Sequence, residues 1–109
     1  MDGYLKVAQE KDVPPGGAVA VRVGDKPVAL FNVEGKLYAT DNSCQHLGGP
    51  LGEGTLKGPL ITCPWHDWQY DVTTGASLQS VSLFLKVFDV KVEKGEIYVA
   101  TQPKKRVRT

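Results

Sequence analysis

The chain has 109 residues, of which 41% are hydrophobic and 23% charged, with a formal net charge of +1, two cysteines and two histidines. That length suits one domain, large enough to bury roughly 60–70% of its unfolded surface and too short to carry a second catalytic domain. Charges at Asp2, Lys6, Glu10, Lys11 and Asp12 interrupt any signal-like apolar core, and no run approaches the ~18 apolar residues of a membrane helix, so a cytoplasmic protein without membrane anchoring is expected.

From the N-terminus, Tyr4–Ala8 alternates weakly and can open a first strand before Val13-Pro14-Pro15-Gly16-Gly17 interrupts regular structure. Val19, Val21 and Val23 mark one face of a second strand, and Gly24-Asp25-Lys26 turns it. Val28–Val33 is a nearly continuous apolar run of high β propensity. Glu34-Gly35 is a two-residue turn into Lys36–Thr40, which completes an antiparallel meander. Asp41-Asn42-Ser43 supplies turn chemistry, and glycines at 48, 49, 52, 54 and 58 leave the next stretch little side chain with which to hold its shape. Short strands are expected at Pro59–Thr62 and Gln69–Val72. Phe88, Val90 and Val92 alternate with charged residues up to Lys94-Gly95, and Glu96–Ala100 returns as a hairpin in which Ile97 and Val99 share a buried face with Val90 and Val92. No helical period survives between the glycines and prolines. The expected fold is all-β: stacked antiparallel sheets in a single domain over residues 1–103, with residues from about 41 to 75 inserted as a cap.

Lys104, Lys105, Arg106 and Arg108 place four of the thirteen basic residues in the last six positions, leaving nine basic against twelve acidic groups over residues 1–103. Residues 104–109 are expected to be a solvated, disordered basic tail. The acidic body argues against nucleic-acid binding by the domain itself.

The chemistry concentrates in two hooks, Cys44-Gln-His46 and Cys63-Pro-Trp-His66, which use every cysteine and histidine of the chain. Each pairs a thiolate with an imidazole, and the excursion from Leu47 to Thr62 can bring them face to face. Two Cys and two His suit zinc, so a zinc-stabilised interaction module is one reading. The common zinc order, however, places a Cys pair before a His pair. Mixed hooks suit a site with two unlike metal positions. A metal held there would also do part of the folding of the glycine-rich stretch.

Cys-x-His, sixteen residues, then Cys-x-x-His resembles the pattern of the Rieske iron–sulfur family, and the likeness continues through Leu47-Gly48-Gly49 and Tyr70-Asp71. The resemblance implies Rieske-like stacked antiparallel sheets with an inserted cluster-binding subdomain. It also implies one [2Fe-2S] cluster with one iron on Cys44 and Cys63 and the other on His46 and His66. With neutral imidazoles the oxidised centre carries no net charge, against −2 for four thiolates, so it accepts an electron more readily. Its potential then falls at roughly −150 to +300 mV rather than near about −400 mV.

Neighbouring positions refine that expectation. In high-potential family members the positions of Gly49 and Trp65 are disulfide-linked cysteines, and that of Trp68 is a serine donating to a bridging sulfide. Tyr70 matches a tyrosine whose hydroxyl can donate to a ligand thiolate. A value in the lower half of the range is therefore expected. Leu47 matches a shielding leucine, and Gly48 and Gly49 let the backbone approach sulfur. Trp65 and Trp68 can roof the cluster or offer an apolar rim to a redox partner, while Tyr70 can alternatively be a half-buried strand residue with its hydroxyl in water. Many members carry prolines in a third loop beside the cluster; residues 76–86 contain none.

Both histidines are committed to the cluster, so none remains for an oxygenase iron, and no G-x-G-x-x-G motif is present for NAD or flavin. The resemblance thus implies no enzyme in its own right but a soluble Rieske-type ferredoxin. It would take electrons from an NAD(P)H-dependent reductase and pass them to a terminal oxygenase. The nearest alternative is the small Rieske-like subunit of another oxidoreductase, such as NAD(P)H nitrite reductase.

Overall fold

The computed structural model describes residues 3–43, 49–65, 67–80 and 82–104. Among the described residues ten strands form three antiparallel sheets: β1 (Tyr4–Gln9), β2 (Ala18–Val23), β3 (Lys26–Val33), β4 (Lys36–Asp41), β5 (Thr55–Lys57), β6 (Leu60–Thr62), β7 (Gln69–Asp71), β8 (Val87–Phe88), β9 (Val90–Glu93) and β10 (Glu96–Ala100). The sheet orders are β2-β3-β4-β8, β1-β10-β9 and β5-β6-β7. This is the all-β arrangement expected from the sequence, with the third sheet lying inside the expected cap.

Two-residue turns build the meander. Val33 pairs with Lys36 across Glu34-Gly35, and Glu93 with Glu96 across Lys94-Gly95. All four turn residues have positive φ, the conformation whose twist matches that of the flanking strands. Lys94 adopts it without the usual Asn or Asp.

Strand β3 explains its own unbroken apolar run. Val28 and Leu30 point into one core with Val13, Val23, Ala39, Phe88, Ile97 and Val99. Ala29 and Phe31 point into the other with Leu51, Ile61, Cys63, Tyr70, Val72 and Leu85. A strand covered on both faces gains nothing from alternating with polar residues. Its one buried polar side chain, Asn32, donates from Nδ2 to the Val13 carbonyl at 2.7 Å and accepts the Gly35 N–H at 2.7 Å. The Pro-Pro-Gly-Gly segment is thereby fixed against the sheet.

Two expectations at the C-terminal end need correction. The alternation from Phe88 to Val92 is not one strand: Val87 and Phe88 pair with Thr40 and Ala39, whereas Val90 onward pairs with β10. The chain changes sheets at Asp89, whose carbonyl accepts the Ala100 N–H at 2.9 Å. In addition, Val92 lies opposite Ile97 on the same face but is not buried there: it is 40% exposed, because β9 is the edge of its sheet and no described strand covers that side. Past β10, Thr101 donates its N–H to Gly3, and Lys104, the first residue of the basic tail, donates to the Val87 carbonyl at 2.7 Å while its Nζ lies 3.3 Å from Asp89. No described helix is long and apolar enough to cross a membrane.

Candidate metal centre

The first hook leaves β4 through Asn42 and Ser43. Its residues Cys44, His46, Leu47 and Gly48 lie outside the described residues, as does His66 of the second hook. What the structure does show is how both excursions are closed. Ser43 bridges Pro50 as an isolated antiparallel pair. Asn42 accepts Leu51 N–H on its carbonyl at 3.0 Å and Gly52 N–H on Oδ1 at 2.7 Å. Gly52 lies so close to β2 that a Cβ would stand 2.7 Å from the Ala20 nitrogen. A single-turn 3-10 segment, Leu51–Glu53, is thus pinned to the meander by its glycine and sends Leu51 into the core.

The second hook lies in the six residues, 63–68, between β6 and β7. Cys63 N–H donates to the Trp68 carbonyl at 2.7 Å, and Trp65 N–H lies 3.4 Å from Cys63 Sγ. A backbone N–H directed at sulfur favours the thiolate form and, in a metal site, disperses ligand charge. Asp67 takes a positive φ of 57° to complete the loop. Cys63 is wholly buried among Phe31, Leu51, Ile61 and Tyr70, so its sulfur is held by packing as well as by the loop.

Gly49 lies directly against the second hook. A Cβ there would stand 2.7 Å from Cys63 Sγ and 3.1 Å from Trp65 Cγ, closer than real Cβ contacts. Only a bare backbone can approach the sulfur in this way, which places the chain three residues after His46 directly over Cys63. The donor chemistry and this close approach fit a site shared between the loops. Among the described residues no rival group of three His, Cys, Asp or Glu side chains could hold a metal.

The remaining site residues separate by burial. Tyr70 is fully buried, which removes the reading in which its hydroxyl sits in water. Trp68 is partly buried against the core, and Trp65 is 50% exposed. The third loop, whose lack of prolines left its fit open, runs beside β7: Ser77 bridges Tyr70 and Ala76 bridges Phe84. Asn42, read in the sequence only as turn chemistry, and Ser77, whose Oγ accepts the Gln79 N–H at 3.1 Å, fasten these loops through hydrogen bonds that no motif announces.

Comparison with known proteins gives the same reading. The family model for the Rieske [2Fe-2S] domain matches residues 3–83. Ferredoxin CarAc of Metapseudomonas resinovorans is 42% identical over 103 residues, covering 93% of this chain and 96% of its own. The ferredoxin component of the naphthalene 1,2-dioxygenase/salicylate 5-hydroxylase systems of a Ralstonia species is 42% identical over 91 residues, covering 83% and 88%. A solved complex of reduced oxygenase and oxidised ferredoxin in carbazole 1,9a-dioxygenase contains a chain that superposes with a TM-score of 0.87 at 40% identity, covering 97% of this chain and all of that one. The chain belongs to the Rieske [2Fe-2S] domain family, and one cluster of that type is its cofactor.

Proposed function

We propose that this protein carries single electrons from an NAD(P)H-dependent reductase to the terminal oxygenase of a multicomponent system, as the ferredoxin components similar to it do. It is the carrier and leaves substrate oxidation to its acceptor. Cys44 and Cys63 hold one iron and His46 and His66 the other. When bound, the group supplies a one-electron couple whose negative charge on reduction is limited by the two neutral imidazoles. Leu47 and the two tryptophans shield it, and Tyr70 donates to a ligand thiolate. Residues 1–103 form the single domain, with the cluster-binding subdomain at about 41–75 and the basic segment 104–109 beyond it. The protein works in the cytoplasm.

The observation that carries this reading is the close approach of Gly49, three residues beyond the Cys-x-His hook, to Cys63 Sγ of the Cys-x-x-His hook. Anaerobically prepared protein is expected to hold two irons and two sulfides per chain, to absorb in the visible, and to give a rhombic EPR signal when reduced. Colourless, iron-free material, or zinc in place of iron, would overturn the proposal. Reduction by the reductase of an aromatic-ring dioxygenase system, but not by that of a nitrite reductase, separates the oxygenase carrier from the alternative subunit.

A further inference from the structure

The loop that holds His66 is fastened from outside by a residue with no metal-binding chemistry of its own. Residues 76–78 run antiparallel beside β7 through an isolated bridge: Leu78 N–H donates to the Gln69 carbonyl at 3.0 Å, and Ser77 bridges Tyr70. The next rung of that ladder calls for a carbonyl opposite Gln69 N–H. The side chain of Gln79 supplies it, with Oε1 accepting the Gln69 N–H at 2.8 Å. Gln79 is held in place because its own N–H donates to Ser77 Oγ at 3.1 Å. Gln69 in turn reaches back with Nε2 to Thr62 Oγ1 at 3.3 Å, and Cys63 N–H is bonded to the Trp68 carbonyl. The two feet of the His66 loop, at Thr62-Cys63 and Trp68-Gln69, are therefore tied to each other and to the third loop.

We infer that Gln79 is a positioning residue that locks the second cluster loop from the third, taking the place of the prolines this third loop lacks. The inference rests on the assignment of His66 as a ligand. Proline stiffens a loop through fixed φ; here an amide oxygen completes a strand ladder instead. The lock acts on Gln69, three residues after His66, at the point where the loop re-enters β7.

Q79M, which keeps length and removes the acceptor, and Q79E, which keeps an acceptor, test this in the holo-protein. Iron loss from the oxidised protein to a ferrous chelator under mild reductant is expected to be on the order of threefold faster in Q79M. The rhombic EPR lines should broaden, and the Gln69 amide should exchange faster with solvent. Q79E should restore all three towards wild type. Unchanged iron loss and amide exchange in Q79M, or equal acceleration in Q79M and Q79E, would overturn the lock. Amide exchange needs no cluster, so failure to find iron in the wild type would count against the electron-carrier reading alone.

Discussion

Gly49 and Trp65 face each other across the two cluster loops, the Trp65 Cβ lying 3.2 Å from where a Cβ on residue 49 would stand. That separation is close to the ~3.5–4.5 Å between Cβ atoms of a disulfide, and these are the positions at which high-potential family members carry one. In this chain the same contact is filled by an indole on a glycine.

Gly49→Ala drives its methyl into a sulfur that packing and the loop both hold still, so the hooks must separate. Iron content per chain is expected to fall several-fold. Gly16→Ala is the control: Gly16 sits at positive φ, as Gly49 does not, and an added Cβ there would meet nothing within 4 Å. It should cost about 1–2 kcal/mol in stability and leave iron content unchanged. Equal iron content in both variants would contradict the close approach.

His66→Cys replaces a neutral ligand by an anionic one. A cluster should still assemble, with its midpoint lowered by roughly 100 mV or more, part of the way towards all-cysteine clusters. Protein-film voltammetry reads this directly, and an upward shift would refute the charge argument.

Trp68→Ser places a hydroxyl where high-potential members donate to a bridging sulfide. The reduced state carries more negative charge and gains more from such a donor. The midpoint should rise on the order of 50 mV, the one-electron equivalent of about one hydrogen bond. Trp68→Phe, which supplies no donor, should not reproduce the rise. Equal shifts in the two variants would attribute the effect to packing.

Lys6 and Glu96 form an exposed ion pair between β1 and β10. The hydrogen bond with Lys6, then its charge, lowers the Glu96 pKa from 4.5; the same bond, then the Glu96 charge, raises that of Lys6 from 10.5. A lowered carboxylate stabilises the fold above 4.5 and loses that contribution as pH falls through the folded value. A raised amine stabilises it below 10.5 and loses the contribution as pH rises through its folded value. Wild type and K6M should therefore differ slightly in thermal midpoint between these limits and converge in acid. The difference should shrink in high salt, because an exposed pair is weak and screened.

The parts of the fold set by local chemistry were readable from the chain. Turn residues at Glu34-Gly35 and Lys94-Gly95 fixed two hairpins, and the unalternating stretch Val28–Val33 marked a strand that proved to be covered on both faces. What depended on distant partners was not readable. Nothing in Phe88-Asp89-Val90 announces a change of sheet, since alternation reports which face a side chain occupies and not which strand lies beside it. The pairing of β1 with β10 has the same origin. At the metal centre the four candidate ligands stood out because the chain has no other Cys or His. Asn42 and Gln79 did not, because an amide that closes a loop looks the same in sequence as one that faces solvent.

Cys63 belongs to the same packed core as Phe31, Leu51 and Tyr70. Close-packed interiors are stiff, so a thiolate seated there changes position little between oxidation states. A small nuclear rearrangement on each electron's arrival and departure is the expected consequence of a ligand held in this way.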